Sequence, residues 1–406
     1  MEWCDRPRGR DRSEVFGSSV SKIIRSWSPV AAFSPRPSSK QARSITMSQT
    51  SPTKIKVGIN GFGRIGRLVA RFCLESDSPL ELVHVNDIHG DASTAAYLLQ
   101  FDSVHGRFSG YECTADNRGD GQAFLVEGPG VTARIGFSSQ PTPGQVDWAS
   151  LNIGLVLECT GAFKSKAALE PYFQVGVRKV VVSAPIKEDG VPNIVVGVND
   201  HCYDTQRDSI VTAASCTTNC IAPFVKILHE NIGIKHGSFT TLHDLTNTQT
   251  PLDTAWPGRK EVRRTRSCLT NLVPTSTGSA KAITQIFPEL TGLLDGIAVR
   301  IPLANASLTD CVFEMKRETS VEEVNGLFKA VAENKDSSNT LYGVLGYEER
   351  PLVSSDFTND PHSGILDALS TRCIDKTQIK LYIWYDNEFG YARRMYELAV
   401  RVGLEM

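Results

Sequence analysis

The chain has 406 residues, 41% hydrophobic and 22% charged, with a formal net charge of −2. That length supports two domains with a sizeable core, and the balanced charge gives no overall field that draws the chain to nucleic acid or an anionic membrane. No apolar run is long enough to span a bilayer; ten cysteines over the whole length form no small-domain disulfide framework, so a compartment that keeps thiols reduced is the simpler assumption.

The first 46 residues differ from the rest. Residues 15–46 carry five basic residues, many serines and no acid, the composition of an organelle transit peptide. In the first fourteen residues, however, Glu2, Asp5, Asp11 and Glu14 offset four arginines, and Pro29, Pro35 and Pro37 fit a disordered tail. Met47 is a second possible start. The compartment is the cytoplasm if translation begins there, and a mitochondrion or plastid if residues 1–46 are a cleaved transit peptide.

Ile55 to Asn60 alternates as a strand, Gly61-Phe62-Gly63-Arg64-Ile65-Gly66 follows, and Arg67 to Leu74 is a helical run. A bare G-x-G-x-x-G is weak evidence, but between a strand and a helix it has the context of a dinucleotide fingerprint. Gly61 permits the tight turn, Gly63 lets the backbone approach a pyrophosphate, and Gly66 lets the helix pack close. The pyrophosphate then lies at the positive end of the helix. A second strand, Leu80 to Asn86, ends in Asp87, 21 residues beyond Gly66. An acid there accepts from the adenosine ribose hydroxyls and repels a 2′-phosphate, so NAD is preferred to NADP. The competing reading is a solvated turn aspartate. Further strand-like runs at Ile153 to Glu158, Lys179 to Ser183 and Ile194 to Val198, with a helix at Lys166 to Val175, predict a mostly parallel sheet covered on both faces.

Ser209 to Ala213 reads as a short buried strand and Ile221 to Glu230 as a helix, which puts Cys216 of Ala214-Ser215-Cys216-Thr217-Thr218-Asn219-Cys220 at the junction. Unpaired backbone N–H groups at a helix start favour thiolate, the nucleophilic form. Two plainer readings compete: a buried inert cysteine, and a metal or disulfide pair with Cys220. The spacing of four and the lack of a second Cys/His cluster count against metal.

Together, Gly58-Ile59-Asn60-Gly61-Phe62-Gly63-Arg64-Ile65-Gly66-Arg67 and the cysteine segment closely resemble the glyceraldehyde-3-phosphate dehydrogenase family. The resemblance runs from Lys56 to the C-terminus and includes Phe101-Asp102-Ser103-Val104-His105-Gly106, Pro274-Thr275-Ser276-Thr277-Gly278 and Trp384-Tyr385-Asp386-Asn387-Glu388. It implies an α/β fold in which a Rossmann-type NAD-binding domain (54–215, completed by a C-terminal helix at about 387–406) joins an α+β catalytic domain (216–386) with a mostly antiparallel sheet. It also implies oxidative phosphorylation of an aldehyde. The nucleophile matches Cys216 and the general base His243. Close contact can shift such a pair toward an ion pair at neutral pH. The substrate phosphate site matches Thr246 and Arg300, and the inorganic phosphate site Ser215, Thr217, Thr277 and Gly278, with Arg263 of the basic run also among the anion ligands. Cofactor positions match Gly61, Gly63, Arg64, Ile65, Gly66, Asp87 and Thr160, with Asn387 on the carboxamide and Tyr391 against the nicotinamide region. No metal is implied. A homotetramer is.

Several places depart from the common glycolytic form. His243 is followed by Asp244-Leu245-Thr246-Asn247-Thr248-Gln249-Thr250. The extra carboxylate of Asp244 raises the histidine pKa if it points inward and does nothing if it points outward. The loop from Pro251 to Arg266, with Trp256, Pro257 and Gly258, is about three residues longer than in bacterial relatives. It ends in Arg263-Arg264-Thr265-Arg266, which reads as a solvated or phosphate-facing cluster before a nucleic-acid site. Gln140-Pro141-Thr142-Pro143 replaces a charged stretch on the adenine side. The segment after His243 resembles a branch associated with arsenate efflux, which implies arsenate in place of phosphate and 1-arseno-3-phosphoglycerate as product. Alternatives are a dehydrogenase of another phosphorylated aldose, such as erythrose 4-phosphate, and a non-catalytic regulatory protein on the same fold.

Overall fold

The structure, a computed structural model, describes residues 54–116, 118, 122–255 and 261–406. The N-terminal extension and Trp256, Pro257 and Gly258 lie outside the described residues.

Two eight-stranded sheets organise the chain. The first holds β1 (Ile55–Asn60), β2 (Leu80–Asn86), β3 (Glu112–Ala115), β4 (Ala123–Gly128), β5 (Val131–Ser138), β6 (Leu155–Glu158), β7 (Lys179–Val182) and β8 (Ile210–Thr212), in the order β3-β4-β5-β2-β1-β6-β7-β8. Strands β5 to β8 of that order run parallel through β2 and β1, while β3 and β4 add an antiparallel edge. Chain order reverses between β1 and its neighbours β2 and β6, and a crevice opens at such a switch point beyond the strand ends. Helices α1 (Arg64–Cys73), α2 (Ala92–Gln100) and α3 (Lys166–Gln174) belong to this part.

One predicted strand is not there. Ile194 to Val198 is an irregular turn, although Ile194 and Val195 are fully buried. Gly197 takes φ +82 against the Thr340 carbonyl, a conformation that breaks a strand, and Asn193 ties its side chain back to Ile186. A short apolar run reports burial before it reports conformation.

The second sheet follows α4 (Cys216–Asn231). It comprises β9 (Ile234–His243), β10 (Val273–Ser276), β11 (Leu294–Arg300), β12 (Ser307–Met315), β13 (Leu345–Glu348), β14 (Gly364–Asp367), β15 (Arg372–Ile374) and β16 (Gln378–Tyr385). Its order is β10-β11-β9-β12-β16-β14-β13, with β15 beside β16. Only β11 with β9 and β13 with β14 pair in parallel. Helices α4, α5 (Ser279–Ile286) and α6 (Val321–Glu333) pack against it through Phe224, Ile283 and Phe328.

The last helix, α7 (Phe389–Leu404), crosses back. Its Ala392, Met395, Tyr396, Ala399 and Val402 recur at helical spacing and join the core under the first sheet with Leu68, Phe72 and Val57. Full burial of each larger side chain is worth about 1.5–3 kcal/mol, which fixes the helix against α1. Residue 387, just before α7, therefore stands at the boundary of the two sheets. Among the described residues no helix is long and apolar enough to cross a membrane.

Candidate active site

The crevice at the end of β1 has a volume of about 250 Å³ and is lined by Gly61, Gly63, Asp87, Gln140, Pro141 and Thr160 among others. Each glycine there has its own geometric reason. Gly61 sits at φ +94, and a Cβ would fall 2.4 Å from the Thr160 nitrogen. A Cβ on Gly66 would lie 2.1 Å from the Gly61 carbonyl, so α1 can approach its own loop only without one. A Cβ on Gly63 would meet nothing within 4 Å. That open space lies at the N-terminus of α1, where Gly63 is the N-cap and supplies no side-chain bond. The first-turn N–H groups, including those of Arg64 and Ile65, have no intrahelical acceptor, the arrangement that suits an anion.

Asp87 closes the crevice on the β2 side. Its Oδ2 accepts from Phe62 N at 2.5 Å and its Oδ1 from His89 N at 2.8 Å, so it also anchors the glycine turn. Opposite, Thr160 N donates to Glu158 Oε1 at 2.8 Å. Glu158 is buried, and its Oε2 also accepts from Asn60 Nδ2 (3.0 Å) and Tyr172 OH (2.6 Å). Burial pushes the Glu158 carboxyl upward and these donors offset part of the shift. The segment that replaces the usual charged stretch is held through its backbone: Asn86 Nδ2 donates to Gln140 O at 2.9 Å, and Gln140 N to Asn86 Oδ1 at 2.8 Å.

Arg64 contributes only backbone to the crevice. Its guanidinium turns away to pair with Asp102 and, at 2.6 Å, with Glu388. Glu388 Oε2 is also 2.9 Å from His105 Nε2. Next to it, Asp386 accepts from Asn305 Nδ2 and from the N–H groups of Asn359, Glu388 and Phe389, which fixes the turn carrying Asn387. Asn387 Oδ1 accepts from Ser307 Oγ at 3.0 Å, leaving its NH₂ as the group able to donate to a cofactor amide. Tyr391 OH donates to Ala214 O at 3.2 Å, tying α7 to the turn before Cys216.

The second cavity, about 530 Å³, opens where α4 begins. Cys216 is the first residue of α4, and Ser215 caps that helix by accepting from Thr218 N at 3.2 Å. His243 ends β9 directly beside its register partner Arg300, which ends β11. The Cys216 Sγ lies 3.5 Å from His243 Nε2. A second helix start, α5, faces the same cavity through Gly278, an N-cap with no side-chain bond and open space where a Cβ would be. Two helix N-termini, Arg264, Arg300, Lys187 and Lys281 thus converge on one cleft. Such a cleft takes anions.

Electrostatics in the cleft bear on the expected shift of the pair toward an ion pair. Burial pushes the Cys216 thiol up, with Arg300 offsetting part of the shift. Burial and then Arg300 push His243 down to about 3. Both shifts favour the uncharged forms, and burial is the largest cause of each. Asp244 points inward, yet it does not raise the histidine. It is fully buried, both carboxylate oxygens lack a hydrogen bond, and burial with Asp386 and Glu388 nearby pushes it up to about 8. A protonated Asp244 has no charge to lend.

The predicted anion residues divide. Ser215, Thr217, Thr277, Gly278 and Arg300 line the cleft with Cys216 and His243. Thr246 and Arg263 do not. Thr246 Oγ1 is engaged with Thr248 Oγ1 at 2.9 Å, outside the cleft. Arg263 is exposed because the 3₁₀ turn Val262–Thr265 presents the next residue, Arg264, inward, where its Nε donates to Thr275 Oγ1 at 3.1 Å. Of the basic run that the sequence singles out, Arg264 rather than Arg263 lines the cleft. Sequence reasoning missed Lys187 and Lys281, for which periodicity gives no signal, and Tyr385, whose OH lies 2.7 Å from Thr241 Oγ1 and 3.1 Å from Thr217 Oγ1.

A dinucleotide crevice beside a cleft that holds a thiol–imidazole pair among cationic side chains fits a nicotinamide-dependent oxidoreductase. Comparison with known proteins agrees. Residues 55–166 match the family model described as "Glyceraldehyde 3-phosphate dehydrogenase, NAD binding domain", and residues 215–387 match "Glyceraldehyde 3-phosphate dehydrogenase, C-terminal domain". The chain is 53% identical over 353 residues to glyceraldehyde-3-phosphate dehydrogenase 3 of Nostoc sp., covering 87% of this chain and 99% of that protein. It is 43% identical over 344 residues to glyceraldehyde-3-phosphate dehydrogenase 1 of Bacillus cereus (85% and 97%). With the plasmid-borne glyceraldehyde-3-phosphate dehydrogenase of Cupriavidus necator it shares 44% over 348 residues (85% and 98%). The chain belongs to the glyceraldehyde 3-phosphate dehydrogenase family, and its cofactor is NAD.

Proposed function

We propose that this protein oxidises glyceraldehyde 3-phosphate to an acyl phosphate through a thioester on Cys216. The observation that carries the reading is Cys216 Sγ at 3.5 Å from His243 Nε2, inside a cleft built from two helix N-termini and two arginines. Arg300 and Arg264 hold the substrate phosphate and the inorganic oxyanion, with Ser215, Thr217, Thr277 and Gly278 as neutral donors. Cys216 adds to the aldehyde carbon to give a thiohemiacetal. His243 takes the hydroxyl proton as the carbon–hydrogen bond breaks, leaving the thioester. Bound NAD supplies the hydride acceptor, and Asn387 orients its amide. The inorganic anion then attacks the thioester carbon, and the sulfur leaves as thiolate. With phosphate the product is 1,3-bisphosphoglycerate.

Arsenate has nearly the size and charge of phosphate, so the same donors accept it, giving 1-arseno-3-phosphoglycerate. We include that use in the proposal. Measured kcat/KM with each oxyanion tests it: comparable values sustain dual use, and a strong preference for phosphate removes the arsenate specialisation. The core reading is tested by NADH formation from glyceraldehyde 3-phosphate, which Cys216→Ser abolishes.

The proposal extends to assembly. Leu252, Val262, Leu269, Leu272 and Ile297 are exposed around β10 and β11, an apolar surface suited to further copies of the chain. Light scattering should give a tetramer mass; a monomer refutes this part alone.

A further inference from the structure

Strand β12 lies between β9, which ends in His243, and β16, which ends in Tyr385. Its first residue, Ser307, is therefore flanked by the residues that follow each neighbour. On one side Asp244 N lies 3.1 Å from Ser307 Oγ, and on the other Ser307 Oγ lies 3.0 Å from Asn387 Oδ1. Ser307 is fully buried and Asn387 is 5% exposed, so both depend on protein partners for their hydrogen bonds.

The directions of these two bonds are linked. A backbone N–H only donates, so Ser307 Oγ accepts from Asp244. The hydroxyl carries one proton, and it goes to Asn387 Oδ1; the carboxyl oxygens of Asp244 take no hydrogen bond. Turning the Asn387 amide over would set its NH₂ against the hydroxyl and leave the Ser307 proton without an acceptor, a state that buried groups avoid. The amide therefore stands with Oδ1 inward and NH₂ free. What sets it is a main-chain N–H one residue beyond His243. Asp386 does a different job: it accepts from the N–H groups of Glu388 and Phe389, which fixes where residue 387 stands and not which way its amide faces.

We propose that Ser307 is a positioning residue: it holds the amide of Asn387 as a donor toward the cofactor and ties that donor to the strand carrying His243. A fixed donor reads an acceptor on the cofactor's pyridine ring, such as the carbonyl of a carboxamide. It disfavours a ring substituent that can only donate, because two donors then face each other. This rests on the proposed role of Asn387 in orienting the cofactor amide.

The test is calorimetric titration of the full-length protein with three nucleotides: NAD, its acetylpyridine analogue, which keeps the carbonyl and lacks the amide nitrogen, and its aminopyridine analogue, which has a donor in the carbonyl's place. Wild type should bind the first two alike and the amine at least about tenfold more weakly. In Ser307→Ala the Asn387 amide can turn either way, so the amine should bind within about threefold of NAD. Ser307→Cys, a weaker donor of similar shape, should fall between, and it carries the comparison if the alanine variant does not fold. Asn387→Ala should lose the preference altogether. Wild type that binds all three alike overturns the proposal, as does a serine variant that keeps the full wild-type preference. Asn387→Ala that still rejects the amine overturns it too, since the ring is then read elsewhere. NADH formation from glyceraldehyde 3-phosphate with indifferent binding sinks this inference alone; absence of NADH sinks the functional reading beneath it.

Discussion

The two cavities of this molecule are built on opposite principles. The dinucleotide crevice is settled before any ligand arrives: Asp87, Glu158 and Asn86 all have their acceptors and donors filled, by backbone and by side chains alike. The reactive cleft is not. It holds a His243 nitrogen that faces both the Asp244 carbonyl and the Arg300 guanidinium, an arginine with a buried unpartnered nitrogen, and an aspartic acid with neither oxygen bonded. A buried unsatisfied polar group costs about 1–3 kcal/mol. That cost is tolerated where ligands or chemistry will rearrange the groups, and avoided where a cofactor only has to be held.

The sharpest way to break this comparison is at the sulfur. Cys216→Ser should lower NADH formation by about 10⁴-fold or more while leaving NAD binding within about twofold of wild type, since no crevice bond involves Cys216. Loss of NAD affinity measured by fluorescence titration would mean that the two cavities are one unit. The converse change is Gly61→Ala. At φ +94, with the Thr160 nitrogen 2.4 Å from the new Cβ, it should cost about 3 kcal/mol in stability, read by urea denaturation, and weaken NAD binding in step. Unchanged NAD affinity would show that the turn is not the cofactor's seat.

Asp244 probes the unsettled cavity. Its folded pKa lies near 8, above the unfolded value near 3.8, so the folded state holds more protons between those limits and stability falls as pH rises through that window. Asp244→Asn removes the titration. We expect the variant to match wild type near pH 4, its amide being as short of partners as the protonated acid, and to be more stable by on the order of 5 kcal/mol near pH 8. Parallel stability–pH curves for the two proteins would show that Asp244 is ionised and bonded in solution.

The same contrast explains how much the sequence revealed. The crevice is local: strand, three glycines, helix and an acid 21 residues on lie in one stretch, and each glycine has the geometry its position implied. Helix α7 followed from the family resemblance, and the place of Cys216 from the strand–helix junction. The reactive cleft draws instead on segments spread from Pro185 to Arg300, and which way each side chain faces depends on the tertiary packing. Arg263 and Arg264 differ by one step of a 3₁₀ turn, which no composition reports. The effect of burial on Cys216 and His243 was not legible for the same reason, because desolvation is a property of the closed cleft and not of two residues in a chain. Ile194 to Val198 failed differently, its turn being imposed by Gly197 against Thr340 O.

The smallest effect concerns Asp87, which serves two ends at once. It fastens the glycine turn through Phe62 N and lines the crevice where an adenosine ribose would lie. Asp87→Asn separates these roles at the cost of one bond: the amide oxygen still accepts from Phe62 N and the negative charge is gone, while the NH₂ cannot accept from His89 N. If charge sets the cofactor preference, NADP affinity should rise about tenfold, a change of about 1.4 kcal/mol, with NAD affinity falling only a few-fold. Isothermal titration with both nucleotides reads this directly. If NADP binding stays as weak as in wild type, shape and backbone alone exclude the extra phosphate. The crevice would then be a site in which even specificity is written in the main chain, at the far end of the contrast from a cleft that works through ionisable side chains.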